Sequence, residues 1–269
     1  MSVLRLLIAA WVLFLLGRAA VAAWQRRDLA LAVWRRIRLR HVGGAVALFL
    51  LVSTLVIGLL TFVPPLRYGL GTLIDFSGNA VFVPLEEAAT RPGAPGAEGG
   101  PDWLLIGLAT AFLGTLGLML PWLAFVEEEV FRAGLEDAGV GRQLLTALVF
   151  GLAHLVMLVP VGAALAVGVA GYVYGLVYRR AHRRVDPDEV PEVALRSFRP
   201  TRRSARAADR ARAENDTAAG LDPLTVMLVD RSPERRQAGA VLASTVLHTT
   251  FNTLVIGIVW LSIVASSLV

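Results

Sequence analysis

The sequence predicts an all-α fold, a polytopic membrane helix bundle with about six transmembrane helices and one long arginine-rich cytoplasmic loop. Hydrophobic residues make up 56% of the 269 residues, whereas about 45–50% is usual in a soluble domain. Charged residues make up only 17% and cluster between long apolar runs. Several of these runs approach the roughly 20 residues that a helix needs to cross the bilayer core.

The composition also excludes some classes of function. There is no cysteine, which excludes a disulfide framework and thiol chemistry. The net charge is +5, but the basic residues are arginines that flank apolar runs. Membrane topology and anionic headgroups account for arginines in such positions. We therefore expect membrane lipids as partners and no nucleic acid.

The N-terminal region, residues 1–102, is predicted to contain two spans and an external loop. The first span covers residues 3–24, and we expect it to stay as an uncleaved helix. A cleaved signal peptide is the alternative, because the alanine-rich residues 19–23 resemble a cleavage site. The arginines of residues 25–41 place that segment in the cytoplasm. It is predicted to be either a helix lying on the headgroups or a solvated linker.

The second span covers residues 42–63 and stops at Pro64 and Pro65, and an external loop of residues 66–102 follows. After the N-terminal region we expect one further region, residues 103–260. Residues 261–269 are predicted to form the end of the last helix. We predict four more spans there: residues 103–126, 143–159, 161–178 and 238–269. The fourth and fifth should form a tight hairpin, and small residues of the fifth should let the helices approach closely.

Residues 179–236 form a polar cytoplasmic insertion, rich in arginine and predicted to be solvated. A regulatory or lipid-binding role is the alternative. Within it, residues 200–220 are predicted to be disordered or marginally helical, and residues 221–229 to form a short interfacial piece. Six spans place this insertion and residues 25–41 on the same, cytoplasmic face of the cell membrane, with both termini outside.

Three adjacent carboxylates, residues 127–129, and Arg132 follow directly on the third apolar run. Ionisable side chains in hydrocarbon pair or face a wet cavity, so they indicate a functional site. Positions four apart share a helix face, which predicts a Glu128–Arg132 pair. Glu129 points away from Glu127 and is expected to be peripheral. A boundary cap at the cytoplasmic surface is the alternative for this motif alone.

Two histidines lie inside predicted spans, His154 in the fourth and His248 in the sixth. Each has a companion four residues away on the same helix face, Phe150 for the first and Asn252 for the second. One intramembrane histidine alone is commonly a hydrogen bond between helices. Polar groups on three separate helices at comparable depth predict instead that they meet in one cavity.

Such a cavity could perform chemistry on water in two ways. Glu127 could take a proton from water and return it to a leaving amine, while His248 and Asn252 donate to an oxyanion. Alternatively, Glu127, His154 and His248 could hold Zn²⁺ with a water ligand. The spacing does not choose between a zinc site and a metal-free glutamate mechanism. The sequence has neither a His-Glu-x-x-His motif nor a Gly-x-Ser-x-Gly elbow.

Three ordered motifs resemble those of the CPBP family, the CAAX protease and bacteriocin-processing intramembrane endopeptidases, also called the Abi family: Glu127-Glu128-x-x-x-Arg132, Phe150-x-x-x-His154 and His248-x-x-x-Asn252. The resemblance covers about residues 103–260. It implies a helical intramembrane peptidase whose cavity opens toward the cytoplasm and whose substrate is a peptide or protein. It also implies that Glu128 and Arg132 support the site by pairing.

The resemblance further implies a role for each remaining residue. Glu127 would be the catalytic base, with His154 positioning the water. His248 and Asn252 would stabilise the oxyanion. A non-catalytic immunity or binding membrane protein of the same fold is the alternative. An ion or proton carrier is a third possibility, disfavoured because the outer halves of the spans carry almost no charge.

The depth of the site adds one structural prediction. Glu127 lies about 36 Å along a helix that starts at residue 103, at ~1.5 Å per residue, whereas His154 lies only about 17 Å into its span. We expect the third helix to continue past Arg132 toward Gly139, which would keep Glu127 below the headgroups.

Overall fold

A computed structural model describes residues 3–74, 103–199 and 232–268. About 87% of these residues are helical, and no strand occurs in these three ranges. The helices are named here in chain order: α1 Val3–Gln25, α2 Arg27–Trp34, α3 Leu39–Phe62, α4 Trp103–Arg132, α5 Val140–Ala153, α6 Val161–His182, α7 Glu192–Ser197 and α8 Ser232–Leu268. The all-α prediction is therefore confirmed for the described part of the chain.

Five helices of the described residues are long and apolar enough to cross a membrane. They are α3, α4, α6, α8 and the continuous segment Val140–Met157, which joins α5 to a short 3₁₀ helix. The helix α1 is not among these five, so the six-span topology stays a prediction.

The long helix α8 is central to the bundle, because it packs against α3, α4 and α6. Three buried hydrophobic clusters include residues of α8. One contains Phe125 of α4, Tyr178 of α6 and Val241 of α8. A second contains Phe150 of α5 and Phe251 of α8, and a third lies on the C-terminal part of α8.

The segments α5 and α6 form the predicted tight hairpin. Leu158 in the connection adopts φ 65°, in the left-handed region, which lets the chain reverse within a few residues. A Cβ at Gly151 would collide with the backbone of Ala164 and of Gly168, so the two helices touch where only small residues fit. The predicted packing role of the small residues is confirmed here.

The prediction that α4 continues past Arg132 is wrong. The helix ends at Arg132, and Gly134 adopts φ +85° in the turn that follows. A glycine in the left-handed conformation just after the last helical residue is a common helix stop. Glu127 is nevertheless inside the helix and only partly exposed, with 38% of its side chain accessible.

Two segments predicted to lie on headgroups or in solvent pack instead on the bundle. Leu29 and Val33 of α2 are fully buried, although the sequence suggested a headgroup helix or a linker. In the first part of the polar insertion, Ala194 and Phe198 are buried in the same cluster. Hydrophobic burial at spaced positions therefore holds both segments against α8. Residues 75–102 of the predicted external loop lie outside the described residues, as do residues 200–220 and 221–229 of the predicted insertion.

Candidate functional site

The site is organised around a contact between α4 and α8. The Nδ1 atom of His248 lies 2.9 Å from Oε1 of Glu128, a hydrogen-bond distance. Glu128 is fully buried, and His248 is 2% exposed. The other ring nitrogen of His248, Nε2, lies 3.8 Å from Oε2 of Glu127. One imidazole therefore sits between two adjacent carboxylates of α4.

Arg132 supplies the positive charge that Glu128 requires. Its Nε atom lies 3.5 Å from Oε2 of Glu128, the i,i+4 pair that the sequence predicts, and Arg132 is 1% exposed. The guanidinium also lies over the ring of Phe150, with Cζ 4.7 Å from the ring centroid. A Cβ at Gly171 would come 3.2 Å from Nη2 of Arg132 and closer still to the Phe150 ring, so this glycine leaves room for both.

Phe150 connects His154 and His248. Its ring meets the ring of His154 edge-on at 4.9 Å and that of His248 at 5.9 Å between centroids. His154 Nδ1 lies 2.9 Å from the backbone oxygen of Phe150. Because that oxygen only accepts, the proton is assigned to Nδ1, which leaves the lone pair on Nε2. The histidines of two separate helices thus share one aromatic neighbour.

Tyr174 of α6 completes the wall of the site. Its ring stacks on His248, with centroids 4.5 Å apart and planes 19° apart. Tyr174 is 1% exposed, yet its hydroxyl has no hydrogen-bond partner among the described residues. The sequence-based reasoning missed Tyr174, because an aromatic residue in an apolar run gives no signal of its contacts.

Asn252 lies one turn after His248 on α8 and is half-buried. It makes no hydrogen bond within the part of the chain that the structure describes, so its amide is available. Glu129 has a different neighbour: its Oε1 accepts a hydrogen bond from the backbone N–H of Arg199. The third carboxylate therefore holds the first part of the insertion onto α4, in agreement with its predicted peripheral position.

Unsatisfied polar atoms concentrate at this site. Within the described residues, seven buried side-chain N or O atoms lack a hydrogen-bond partner, and five of them belong to Glu127, Glu128, Arg132 and Tyr174. Two of these five, Oε2 of Glu128 and Nε of Arg132, face each other in the 3.5 Å ion pair, so three atoms outside this pair remain without a hydrogen-bond partner in the described part of the chain. Buried polar atoms are normally paired, so such a concentration indicates a place that receives water or a ligand. Glu127, Glu128, Arg132, Tyr174 and His248 are called the Glu128 cluster below.

A second polar cluster lies beside it. The carboxylate of Glu136 accepts hydrogen bonds from the Tyr178 hydroxyl at 2.9 Å and from Nε2 of Gln237 at 2.8 Å. Its backbone oxygen accepts one from Nε of Arg179 at 3.2 Å. These four residues, called the Glu136 cluster below, tie the turn after α4 to α6 and α8. The sequence-based reasoning did not identify them.

Metal ligation was one of the predicted uses of the site. No group of three or more His, Asp or Glu side chains suited to hold a metal ion occurs among the described residues. A histidine that binds a metal through one ring nitrogen usually has the other nitrogen hydrogen-bonded to an oxygen atom. Nδ1 of His154 and Nδ1 of His248 each lie 2.9 Å from such an oxygen, which leaves Nε2 of both rings as the atom that could bind a metal. The zinc hypothesis stays a prediction.

The described structure brings together most of the residues that the three motifs predict. Glu127, Glu128, Arg132 and His248 meet directly, and His154 joins them through Phe150. Asn252 shares α8 with His248, without a contact to the others.

Comparison with known proteins returned no relative. A scan against protein-family models, a search of curated proteins and a search of solved structures each gave no match. The resemblance to the CPBP family therefore depends on the three ordered motifs, and the functional argument depends on the geometry of the site.

Proposed function

We propose that this chain is a multi-pass membrane peptidase that hydrolyses a peptide bond of a peptide or protein near the cytoplasmic face of the cell membrane. The observation that carries the proposal is the contact of one buried imidazole with two carboxylates, His248 with Glu128 and Glu127. A fully buried carboxylate on a buried imidazole that also faces a second, partly exposed carboxylate is costly in an apolar bundle, which argues for a chemical use.

The proposed mechanism begins with water beside Glu127. Only part of this side chain is exposed, so solvent can reach one carboxylate oxygen while the other faces His248. Glu127 takes a proton as the water oxygen bonds to the carbonyl carbon, and the carbonyl electron pair moves onto its oxygen. His154, with its lone pair on Nε2, is suited to accept a hydrogen bond from the same water.

The second half of the reaction needs stabilisation of the oxyanion and a proton for the leaving group. His248 donates through Nε2–H when its ring carries both protons, while Glu128 holds Nδ1–H. The free amide of Asn252 is the second donor. The tetrahedral intermediate collapses, the carbon–nitrogen bond breaks, and Glu127 returns its proton to the leaving amine. The products are a carboxylic acid and an amine, and transfer of the acid's proton to the amine in water gives a carboxylate and an ammonium group.

A zinc ion is the open alternative within the same proposal. Glu127, His154 and His248 would hold it, and the bound metal would supply an acidified water and a polarised carbonyl. The oxygen partners on both Nδ1 atoms suit this arrangement. Metal analysis of purified protein, together with chelator sensitivity of cleavage, separates the two versions.

The proposal is tested with the full chain in proteoliposomes and a library of internally quenched peptides. Glu127→Ala, His154→Ala and His248→Ala should each reduce cleavage by about 10²-fold or more. Retained turnover in all three variants would overturn the proposal. A biological activity of the chain that survives Glu127→Gln would favour an immunity or binding protein instead.

A further inference from the structure

Tyr174 occupies a position in the Glu128 cluster that none of the three motifs assigns. Its ring stacks on His248 at 4.5 Å and meets Phe150 and Phe251 edge-on at 6.3 and 6.4 Å. These contacts fix the ring from three sides. A tyrosine held in this way presents its hydroxyl in one direction with little conformational freedom.

The hydroxyl is the unexplained part of this side chain. It is buried and has no hydrogen-bond partner among the described residues. A phenylalanine would pack in the same place without leaving a buried polar atom unpaired, which is the costly arrangement. The hydroxyl therefore calls for a partner that binds there, such as water or a substrate atom.

The contacts of the ring show which groups lie near the hydroxyl. The ring stacks on His248, and the two nitrogens of His248 lie against Glu127 and Glu128. Tyr174 therefore belongs to the same cluster as these two carboxylates of α4. The Nη2 atom of Arg132 and the Oε2 atom of Glu127, which also lack a hydrogen-bond partner among the described residues, belong to this cluster. The cluster thus holds both a donor and an acceptor without such a partner in addition to the hydroxyl of Tyr174.

We propose that Tyr174 is a further catalytic residue, whose hydroxyl donates a hydrogen bond to the oxygen of the carbonyl under attack. This inference rests on the proposed peptidase function. The bond strengthens as the carbonyl oxygen gains negative charge, so it stabilises the transition state more than the bound substrate. The stacked ring also holds the plane of His248, so that both donors approach the oxyanion from fixed positions.

The chain offers a matched control one turn along the same helix. Tyr178 is also fully buried, but its hydroxyl donates to Glu136 and belongs to the Glu136 cluster. Tyr178→Phe removes a structural hydrogen bond, whereas Tyr174→Phe removes an unpaired hydroxyl. The two variants delete the same atom from the same kind of residue at two sites.

The test measures kcat and KM for the full chain in proteoliposomes with the quenched-peptide library, beside thermal stability. Tyr174→Phe should lower kcat by about 10²-fold with KM changed less than about 3-fold and Tm unchanged or raised. Tyr178→Phe should lower Tm and leave kcat unchanged. This inference would be overturned if Tyr174→Phe had the same kcat as the unaltered chain while Glu127→Gln was inactive. The peptidase proposal would still stand in that case. Absence of cleavage by the unaltered chain would overturn both.

Discussion

The Glu128 cluster and the Glu136 cluster use similar parts in different ways. Each combines a glutamate of α4 or of the turn after it, a tyrosine of α6 and a side chain of α8. In the Glu136 cluster the tyrosine hydroxyl and the glutamine amide both donate to the carboxylate. In the Glu128 cluster the tyrosine stacks instead, and its hydroxyl stays unpaired.

This difference separates a structural network from a site. The partly buried carboxylate of Glu136 already accepts a hydrogen bond on each oxygen, so it stabilises the fold and has little left for a ligand. Apart from the two atoms of the Glu128–Arg132 ion pair, three buried atoms of the Glu128 cluster lack a hydrogen-bond partner among the described residues, Oε2 of Glu127, Nη2 of Arg132 and the Tyr174 hydroxyl, against one, Oε1 of Gln237, in the Glu136 cluster. We therefore propose that catalysis depends on the Glu128 cluster, whereas the Glu136 cluster contributes to stability alone. The variants below test that division, from the largest expected effect to the smallest.

The largest effect on stability is expected from Arg132→Met. The change leaves the fully buried Glu128 without its cation, which costs about 3–5 kcal/mol of unfolding free energy. The matched control is Arg196→Met, because Arg196 and Glu192 form an i,i+4 pair of nearly equal length, 3.6 Å, on the surface. That control should cost about 0–1 kcal/mol. Reversible unfolding in mixed micelles measures both, and equal losses would contradict the burial argument.

Substitutions in the Glu136 cluster should lower the stability of the protein and leave its rate of catalysis unchanged. Glu136→Ala leaves the Tyr178 hydroxyl and the Gln237 amide without their acceptor, at a cost of about 1–3 kcal/mol for each group left unsatisfied. The fraction of protein that remains folded should cleave peptides at the normal rate. A loss of kcat beyond the loss of folded protein would show that this cluster takes part in the reaction.

The next largest loss of stability is expected from a substitution where α5 and α6 approach each other closely. Gly151→Ala places a Cβ against the backbone of Ala164 and Gly168, and overpacking of this kind costs about 1–3 kcal/mol. The control on the same helix is Gly141→Ala, where nothing lies within 4 Å of the added atom. Gly141→Ala should be neutral or slightly stabilising. A thermal shift of equal size in both variants would contradict the tight contact.

The smallest effect is expected at the third carboxylate. Glu129→Ala removes the acceptor for the backbone N–H of Arg199 and should cost about 1 kcal/mol. Cleavage should stay within about 2-fold of the unaltered chain, because Glu129 makes no contact to the Glu128 cluster other than its place in the same helix. A drop in rate comparable to that of the Glu127 variants would move Glu129 into the site.

Local sequence rules predicted the parts of this structure that depend on neighbours along one helix. The Glu128–Arg132 pair follows from the i,i+4 spacing, and the α5–α6 hairpin follows from the small residues of the fifth span and its short connection. The all-α class follows from the long apolar runs. Each of these predictions uses residues that are close in the chain.

Spacing along one helix could not predict the detailed contacts between side chains of different helices. The sequence predicted that the carboxylates of α4 and His248 of α8 meet, but it did not specify that Glu128 takes Nδ1 of His248. Nor did it specify that Tyr174 of α6 stacks on this ring, since both contacts depend on helix rotation in the bundle. Gly134 is a local indication that α4 ends at Arg132, because it adopts a positive φ just after the helix. We nevertheless expected the helix to continue, in order to keep Glu127 below the headgroups. The burial of Phe198 in a charged insertion depends on the surface that α8 and α2 offer.

The most direct test compares the two clusters in one assay. Glu127→Gln and Glu136→Gln each replace a carboxylate by an amide of the same shape, one in each cluster. Cleavage of the quenched-peptide library by folded protein in proteoliposomes gives kcat/KM for both. The proposal predicts a loss of about 10²-fold or more for Glu127→Gln and a value near that of the unaltered chain for Glu136→Gln. Equal values of kcat/KM for the two variants would contradict it.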